Sequence, residues 1–179
     1  SGNPDLSNIV QIYSTGGAFA ALTADGYVYA WGDINTGGFG ETNSITQATK
    51  VHTGSGNPYL SDILQIYNTI GAFAALTNSG EVYAWGDITA GGFGETANKA
   101  KTQATQVHTG THVDISDIVQ IFSIFTAFAA LTSEGDIYTW GAYGPAGGIN
   151  NRPANKVNKY NDKFKMVTND FIDYNLIPI

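Results

Sequence analysis

Cysteine is absent from this 179-residue sequence, so disulfides, thiolate metal sites and cysteine nucleophiles are excluded, and the redox compartment is left open. Charge is scarce too. Only 13% of residues are Asp, Glu, Lys or Arg, against about 25% in an average soluble domain. Surface polarity must then come from Thr, Asn, Ser and Gln, a composition that points to an extracellular, cell-surface or virion setting. No apolar run approaches the ~20 residues needed to cross a bilayer as a helix, so membrane insertion is not expected. The opening Ser1-Gly2-Asn3-Pro4 has no signal-peptide pattern, and the missing initiator Met suits a processed chain or a fragment of a longer one.

What is present is apolar and aromatic. Hydrophobic residues make up 42% and aromatics 12%, with 10 Tyr, 9 Phe and 3 Trp, which excludes a disordered chain and fits a packed sheet protein. The length suits a single domain. The net charge of −7 is uneven: residues 1–151 hold 3 basic and 12 acidic side chains, residues 152–179 hold 5 basic and 3 acidic. An acidic body repels phosphate backbones, so nucleic acid is not expected as a partner.

Internal repetition dominates the chain. Trp31, Trp85 and Trp140 lie 54 and 55 residues apart. Ile9-Val10-Gln11-Ile12-Tyr13 recurs as Ile63-Leu64-Gln65-Ile66-Tyr67 and Ile118-Val119-Gln120-Ile121-Phe122. Each copy is followed by Ala-Phe-Ala-Ala-Leu-Thr, beginning at Ala18, Ala72 and Ala127. Next comes a turn ending in Gly26, Gly80 or Gly135, where glycine takes φ > 0 between two apolar runs, the signal of a β-hairpin. The run after it, Tyr27-Val28-Tyr29-Ala30-Trp31 and its two equivalents, alternates with period 2, placing Tyr29 and Trp31 on one face and Val28 and Ala30 on the other. A Gly-rich loop with an anchoring Phe39 or Phe93 follows, altered to Gly147-Gly148-Ile149-Asn150 in the third copy. A short strand closes each unit, at Thr49 to His52, Thr105 to His108 and Asn155 to Asn158.

Four strands per unit without helical periodicity predict an all-β propeller whose blades are four-stranded antiparallel sheets. The units span about 1–54, 55–109 and 110–158. Phe164-Lys165-Met166-Val167-Thr168 and Tyr174-Asn175-Leu176-Ile177 align with the first two strands, which predicts a partial capping unit over 159–179 and a half-ring, or part of a seven-bladed ring. The small side chains of Ala-Phe-Ala-Ala-Leu suit the crowded taper near the axis, with Phe19, Leu22 and their equivalents filling space between blades. Gln11, Gln65 and Gln120 are expected to satisfy backbone groups there.

The order Ala-Leu-Thr, turn glycine, Val-Tyr-x-Trp-Gly and Gly-Gly-Phe-Gly, repeated over essentially the whole chain, resembles the regulator-of-chromosome-condensation repeat. The Ala-Phe-Ala-Ala-Leu-Thr wording is similar to a variant in large bacterial, surface-type and protist repeat proteins. The resemblance implies propeller blades, typically seven to a ring; such propellers serve as exchange factors, inhibitors, photoreceptors or adhesive modules. One departure is that Ala18-Phe19, Ala72-Phe73 and Ala127-Phe128 stand where the family usually carries Gly-x-x-His, so that His-centred bonding is absent.

Candidate chemistry is thin. His52 and His108 recur at one place in successive units and so do not converge, and with His112 they are the only histidines; neither a metal nor a cofactor is expected. Asp33-x-Asn35-x-Gly37 loses its Asn in the second copy at Asp87 and its Asp in the third at Ala142, and reads as a turn cap rather than a calcium loop. Gly38-Phe39-Gly40 lacks the strand-to-helix context of a phosphate loop. Arg152, Lys156, Lys159, Lys163 and Lys165 form the basic cluster, read as a solvated tail or a contact to an acidic surface of another subunit.

These features predict a non-enzymatic protein-binding or structural module, with its trp, glycine and phenylalanine repeats holding the scaffold. Specificity would sit in the segments that differ most between copies, 41–50, 95–106 and 142–155. The expected partner is a protein, another copy or another segment that completes the propeller. The alternative is a regulatory propeller that acts on a small GTPase or inhibits an enzyme; an enzyme whose site is assembled by the rest of the ring ranks third.

Overall fold

Apolar side chains alternating between glycine turns favour strands, and the computed structural model, which describes residues 6–39, 44–54, 58–93, 103–142 and 153–157, shows them. The first blade contains β1 (Ile9–Ser14), β2 (Ala18–Thr23), β3 (Val28–Gly32) and β4 (Ser44–Lys50). The second contains β5 (Ile63–Asn68), β6 (Ala72–Thr77), β7 (Val82–Gly86) and β8 (Thr105–Gln106). The third contains β9 (Ile118–Ser123), β10 (Ala127–Thr132), β11 (Ile137–Gly141) and β12 (Asn155–Lys156). Each blade is a four-stranded antiparallel sheet in chain order. The partial unit expected over 159–179 lies outside the described residues.

The hairpin between the second and third strands shows how local chemistry writes the repeat. Gly26 sits at φ 78° and donates its N–H to Thr23 O at 3.0 Å. The buried Thr23 hydroxyl accepts from Tyr27 N at 2.8 Å. Thr77 and Thr132 do the same for Glu81 N and Asp136 N, each at 2.9 Å. A hydroxyl that closes the turn under cover explains why the Ala-Leu run always ends in Thr. The last strand of each blade ends earlier than its sequence suggests, yet Val51, Val107 and Val157 still donate N–H bonds to Val28, Val82 and Ile137.

Blades meet through their first strands, β1 beside β5 and β5 beside β9, so these form the converging inner side. The Ala-rich strand is therefore second from the axis rather than innermost; its small side chains let β5 approach β2 and β9 approach β6. A bulge at Val10, Leu64 and Val119 breaks the pairing of each first strand, and all three side chains are exposed. Bulges re-aim side chains in this way.

The core lies between sheets. One apolar cluster, including Val28, Phe39, Ile66, Phe73 and Trp85, joins blades 1 and 2; another, including Val82, Phe93, Ile121, Phe128 and Trp140, joins blades 2 and 3. Backbone bonds add to this packing, with Gly16 N to Ile70 O and Ile70 N to Phe125 O on one rim, and Ile63 N to Gly26 O and Ile118 N to Gly80 O on the other. Of the glutamines expected to satisfy backbone groups, Gln65 does so, its Nε2 donating to Ile66 O at 3.4 Å. Gln65 alone is partly buried, and its Nε2 donates to the Tyr13 hydroxyl at 3.0 Å. Gln11 and Gln120 are exposed, although Tyr67 of blade 2 stands for Gln120 where Tyr13 stands for Gln65.

Candidate protein-binding surface

The strongest inter-blade joint is built from an aromatic pair and a glycine. Phe73 and Trp85 pack at 5.4 Å between ring centroids, and Phe128 and Trp140 at 5.3 Å. Trp85 Nε1 donates to Gly37 O and Trp140 Nε1 to Gly91 O, each at 3.1 Å. The glycine is obligatory for two reasons. Gly37 lies at φ 104° and Gly91 at 101°, and a Cβ at either position would meet the Phe73 or Phe128 ring below 3 Å. Phe39 and Phe93 are buried beneath, with His52 and His108 edge-on at 5.1 and 4.9 Å.

In the first blade the same pair, Phe19 and Trp31 at 5.6 Å, faces outward. Phe19 is 45% exposed, whereas Phe73 is at 0% and Phe128 at 2%. Ile12 is 59% exposed against 1% for Ile66 and 2% for Ile121. Among the described residues nothing covers the opposite side of the third blade, where Phe122 and Ile137 are exposed although Tyr13, Val28 and Val82 are buried. The two open faces are the two halves of a joint that the chain itself makes twice.

One rim carries the Gly loops and the turns between first and second strands. There Asp33 accepts from Asn35 N at 2.9 Å and Asp87 from Thr89 N at 2.8 Å, capping the single 3₁₀ turns Ile34–Thr36 and Ile88–Ala90 as the turn reading requires. Thr15 and Thr69 hydroxyls donate to Thr36 O and Ala90 O, each at 2.6 Å. Blade 3 departs from this pattern: Ile124 and Phe125, at 66% and 71% exposure, stand where Thr69 is buried and Ile70 is 42% exposed, and Thr126 bonds Ala142 O instead. Much of the variable segments 41–50, 95–106 and 142–155 lies outside the described residues.

The other rim carries the Gly26, Gly80 and Gly135 hairpins. Its outer strand holds a row that the sequence reading passed over. Lys50, Gln106 and Lys156 pair in register with Tyr29, Tyr83 and Tyr138, so they face Tyr27, Glu81 and Asp136. Lys50 Nζ sits 3.2 Å from the Tyr27 ring centroid and 4.7 Å from that of Tyr59. Lys156 Nζ is 2.6 Å from Asp136 Oδ2; this lysine thus works within its own blade, while Arg152, Lys159, Lys163 and Lys165 lie outside the described residues. Burial, with smaller contributions from the Glu81 and Asp114 carboxylates, holds the Tyr83 phenol above the ordinary tyrosine range. The signal that could have found this row was the recurrence of a long polar side chain, Lys50, Gln106 or Lys156, in the closing strand of each unit.

His108 and His112 come together, 4.8 Å between centroids, but among the described residues no three His, Cys, Asp or Glu side chains group as a metal site. No helix among the described residues is long and apolar enough to cross a membrane.

No family model matches the chain. It is 27% identical over 141 residues to the RCC1-like G exchanging factor-like protein of Mus musculus, covering 74% of this chain and 29% of that protein. It is 32% identical over 129 residues to the mitochondrial RCC1 domain-containing protein RUG3 of Arabidopsis thaliana, covering 68% and 26%. The chain thus spans less than a third of the length of these curated relatives. Among solved structures, human WBSCR16 matches with a TM-score of 0.61 at 20% identity over 87% of this chain and 39% of that one. Prp20p of Saccharomyces cerevisiae matches with 0.61 at 21% identity over 86% and 37%.

Proposed function

The chain belongs to the RCC1-type β-propeller repeat family, and from that premise we propose that it is a protein-binding segment of a regulatory propeller acting on a small GTPase. The observation that carries this reading is the repeat itself, shared with a mouse relative whose name is exchange-factor-like and with yeast Prp20p, whose structure is reported together with its binding to Gsp1p and histones. The relatives favour this over the structural module in an extracellular, cell-surface or virion assembly that low charge suggested. The exposed Ile124 and Phe125 supply an apolar patch of the kind that protein partners cover.

The test is release of a fluorescent GDP analogue from a panel of purified small GTPases. One member should bind the chain and release nucleotide faster in its presence. If no member binds and none releases nucleotide faster, the reading is overturned.

A second observation bears on how the segment is completed. The open Phe19 and Trp31 face fits a Gly-Gly loop, and the open Phe122 and Ile137 face fits an aromatic pair, as inside the chain. A further set of RCC1-type blades, from another copy or another segment, would close both faces and remove the unpaired strand edges.

A further inference from the structure

Comparing the three copies of the hairpin rim shows a difference of charge in one of them. In blade 1 a cavity of about 250 Å³ is lined by Asn8, Thr23, Asp25, Tyr27, Tyr29 and Lys50. In blade 2 the equivalent cavity, about 220 Å³, is lined by Tyr59, Asp62, Thr77, Ser79, Glu81 and Tyr83. In blades 1 and 3 the outer strand delivers an ammonium group to this place, Lys50 against the Tyr27 ring and Lys156 against the Asp136 carboxylate. In blade 2 the outer strand delivers Gln106, whose Nε2 is a long 3.3 Å from Glu81 Oε1, while Ser79 Oγ lies 3.4 Å from Oε2.

Two copies therefore hold a cation where the third holds a neutral amide beside a carboxylate. The ladder register makes these positions equivalent: Tyr83 opposes Gln106 as Tyr29 opposes Lys50 and Tyr138 opposes Lys156. The surroundings suit a positive group. Tyr59 is exposed and offers a ring face that already attracts Lys50 from the neighbouring blade, and a cation over a tyrosine ring is favourable. Asp62 and Glu81 supply negative charge on two sides.

We propose that the blade-2 cavity is a docking site for a basic side chain of a bound protein, whose ammonium or guanidinium takes the place that Lys50 and Lys156 occupy in the flanking blades. The site goes beyond the GTPase reading and does not need it, since it recognises a side chain rather than a particular partner.

The experiment titrates N-acetyl-arginine methylamide into the isotope-labelled chain and follows backbone amide shifts, with N-acetyl-glutamine methylamide as the neutral control. Saturable shifts should centre on Asp62, Ser79, Glu81 and Tyr83 and spare Asp25, Tyr27, Glu134 and Asp136. Gln106→Lys should place an ammonium against Glu81 and weaken binding by about tenfold, the loss expected when one hydrogen bond to a charged group is removed. Glu81→Gln should do the same, and Lys156→Gln should open a second site in blade 3. Undiminished binding to Gln106→Lys with a dispersed spectrum, equal shifts in all three blades, or shifts produced by calcium chloride but not by the arginine probe would each overturn the proposal. The probe contains no GTPase, so failure here leaves the nucleotide-release result standing, and the reverse.

Discussion

Gly91 carries two constraints at once, a φ of 101° and a Phe128 ring carbon 2.6 Å from where a Cβ would stand. Gly91→Ala should therefore destabilise the fold by about 2–4 kcal/mol, the sum of left-handed strain and a displaced aromatic anchor. Urea unfolding would read it, and a change under 0.5 kcal/mol would show that the joint is looser than described. Tyr13 makes a second residue-scale prediction. Burial, opposed by a backbone hydrogen bond from Ile66 and followed by a small contribution from Tyr67, raises its phenol above the ordinary value of 10.0. A native pKa above the unfolded one means that folding favours the neutral phenol. Its contribution is full below about pH 10 and lost as pH rises through the native value. Urea midpoints for Tyr13→Phe should therefore fall less steeply above pH 10 than those of the parent chain.

At the scale of the element, the hairpin is set by a threonine rather than by glycine alone. Thr77→Val keeps the shape but leaves Glu81 N without its 2.9 Å acceptor, and the expected cost is about 1–3 kcal/mol. Thr132→Val should cost a comparable amount, since Asp136 N has the same bond. Amide exchange at Glu81 and Asp136 would show whether the loss is local, and exchange unchanged in both variants would reject the role. The 3₁₀ turns after Asp33 and Asp87 and the first-strand bulges are likewise local devices, one satisfying backbone donors, the other turning Val10, Leu64 and Val119 out of the sheet.

For the whole molecule, stability resides in joints between blades, so each blade is only as stable as its neighbours allow. The open Phe19 and Trp31 face then predicts association. At tens of micromolar the chain should sediment faster than a monomer, and Phe19→Glu should return it to monomer without changing its circular dichroism. A wild-type chain that remains monomeric would reject completion by a second copy and leave completion by another segment. The association is apolar, so raising salt should not weaken it; a steep loss with salt would instead favour the basic tail contact.

The period, the strands and the turns were written in the sequence, because alternation and positive-φ glycine act between near neighbours and repeat three times over. Trp85 and Trp140 bond the preceding blade through Gly37 O and Gly91 O, whereas Trp31 lies in the outward-facing pair. Other features had no local signature. That Gln65 bonds Tyr13 depends on the preceding blade standing alongside. The inner place of β1, β5 and β9, and the second place of the Ala-rich strands, are set by how sheets converge. The pairing of Lys50, Gln106 and Lys156 with residues 27, 81 and 136 spans 20 to 25 positions and emerges only when the outer strand folds back. Sequence alone determined the blade; packing of one blade on the next decided which surfaces are closed, which remain open, and where a charge is missing.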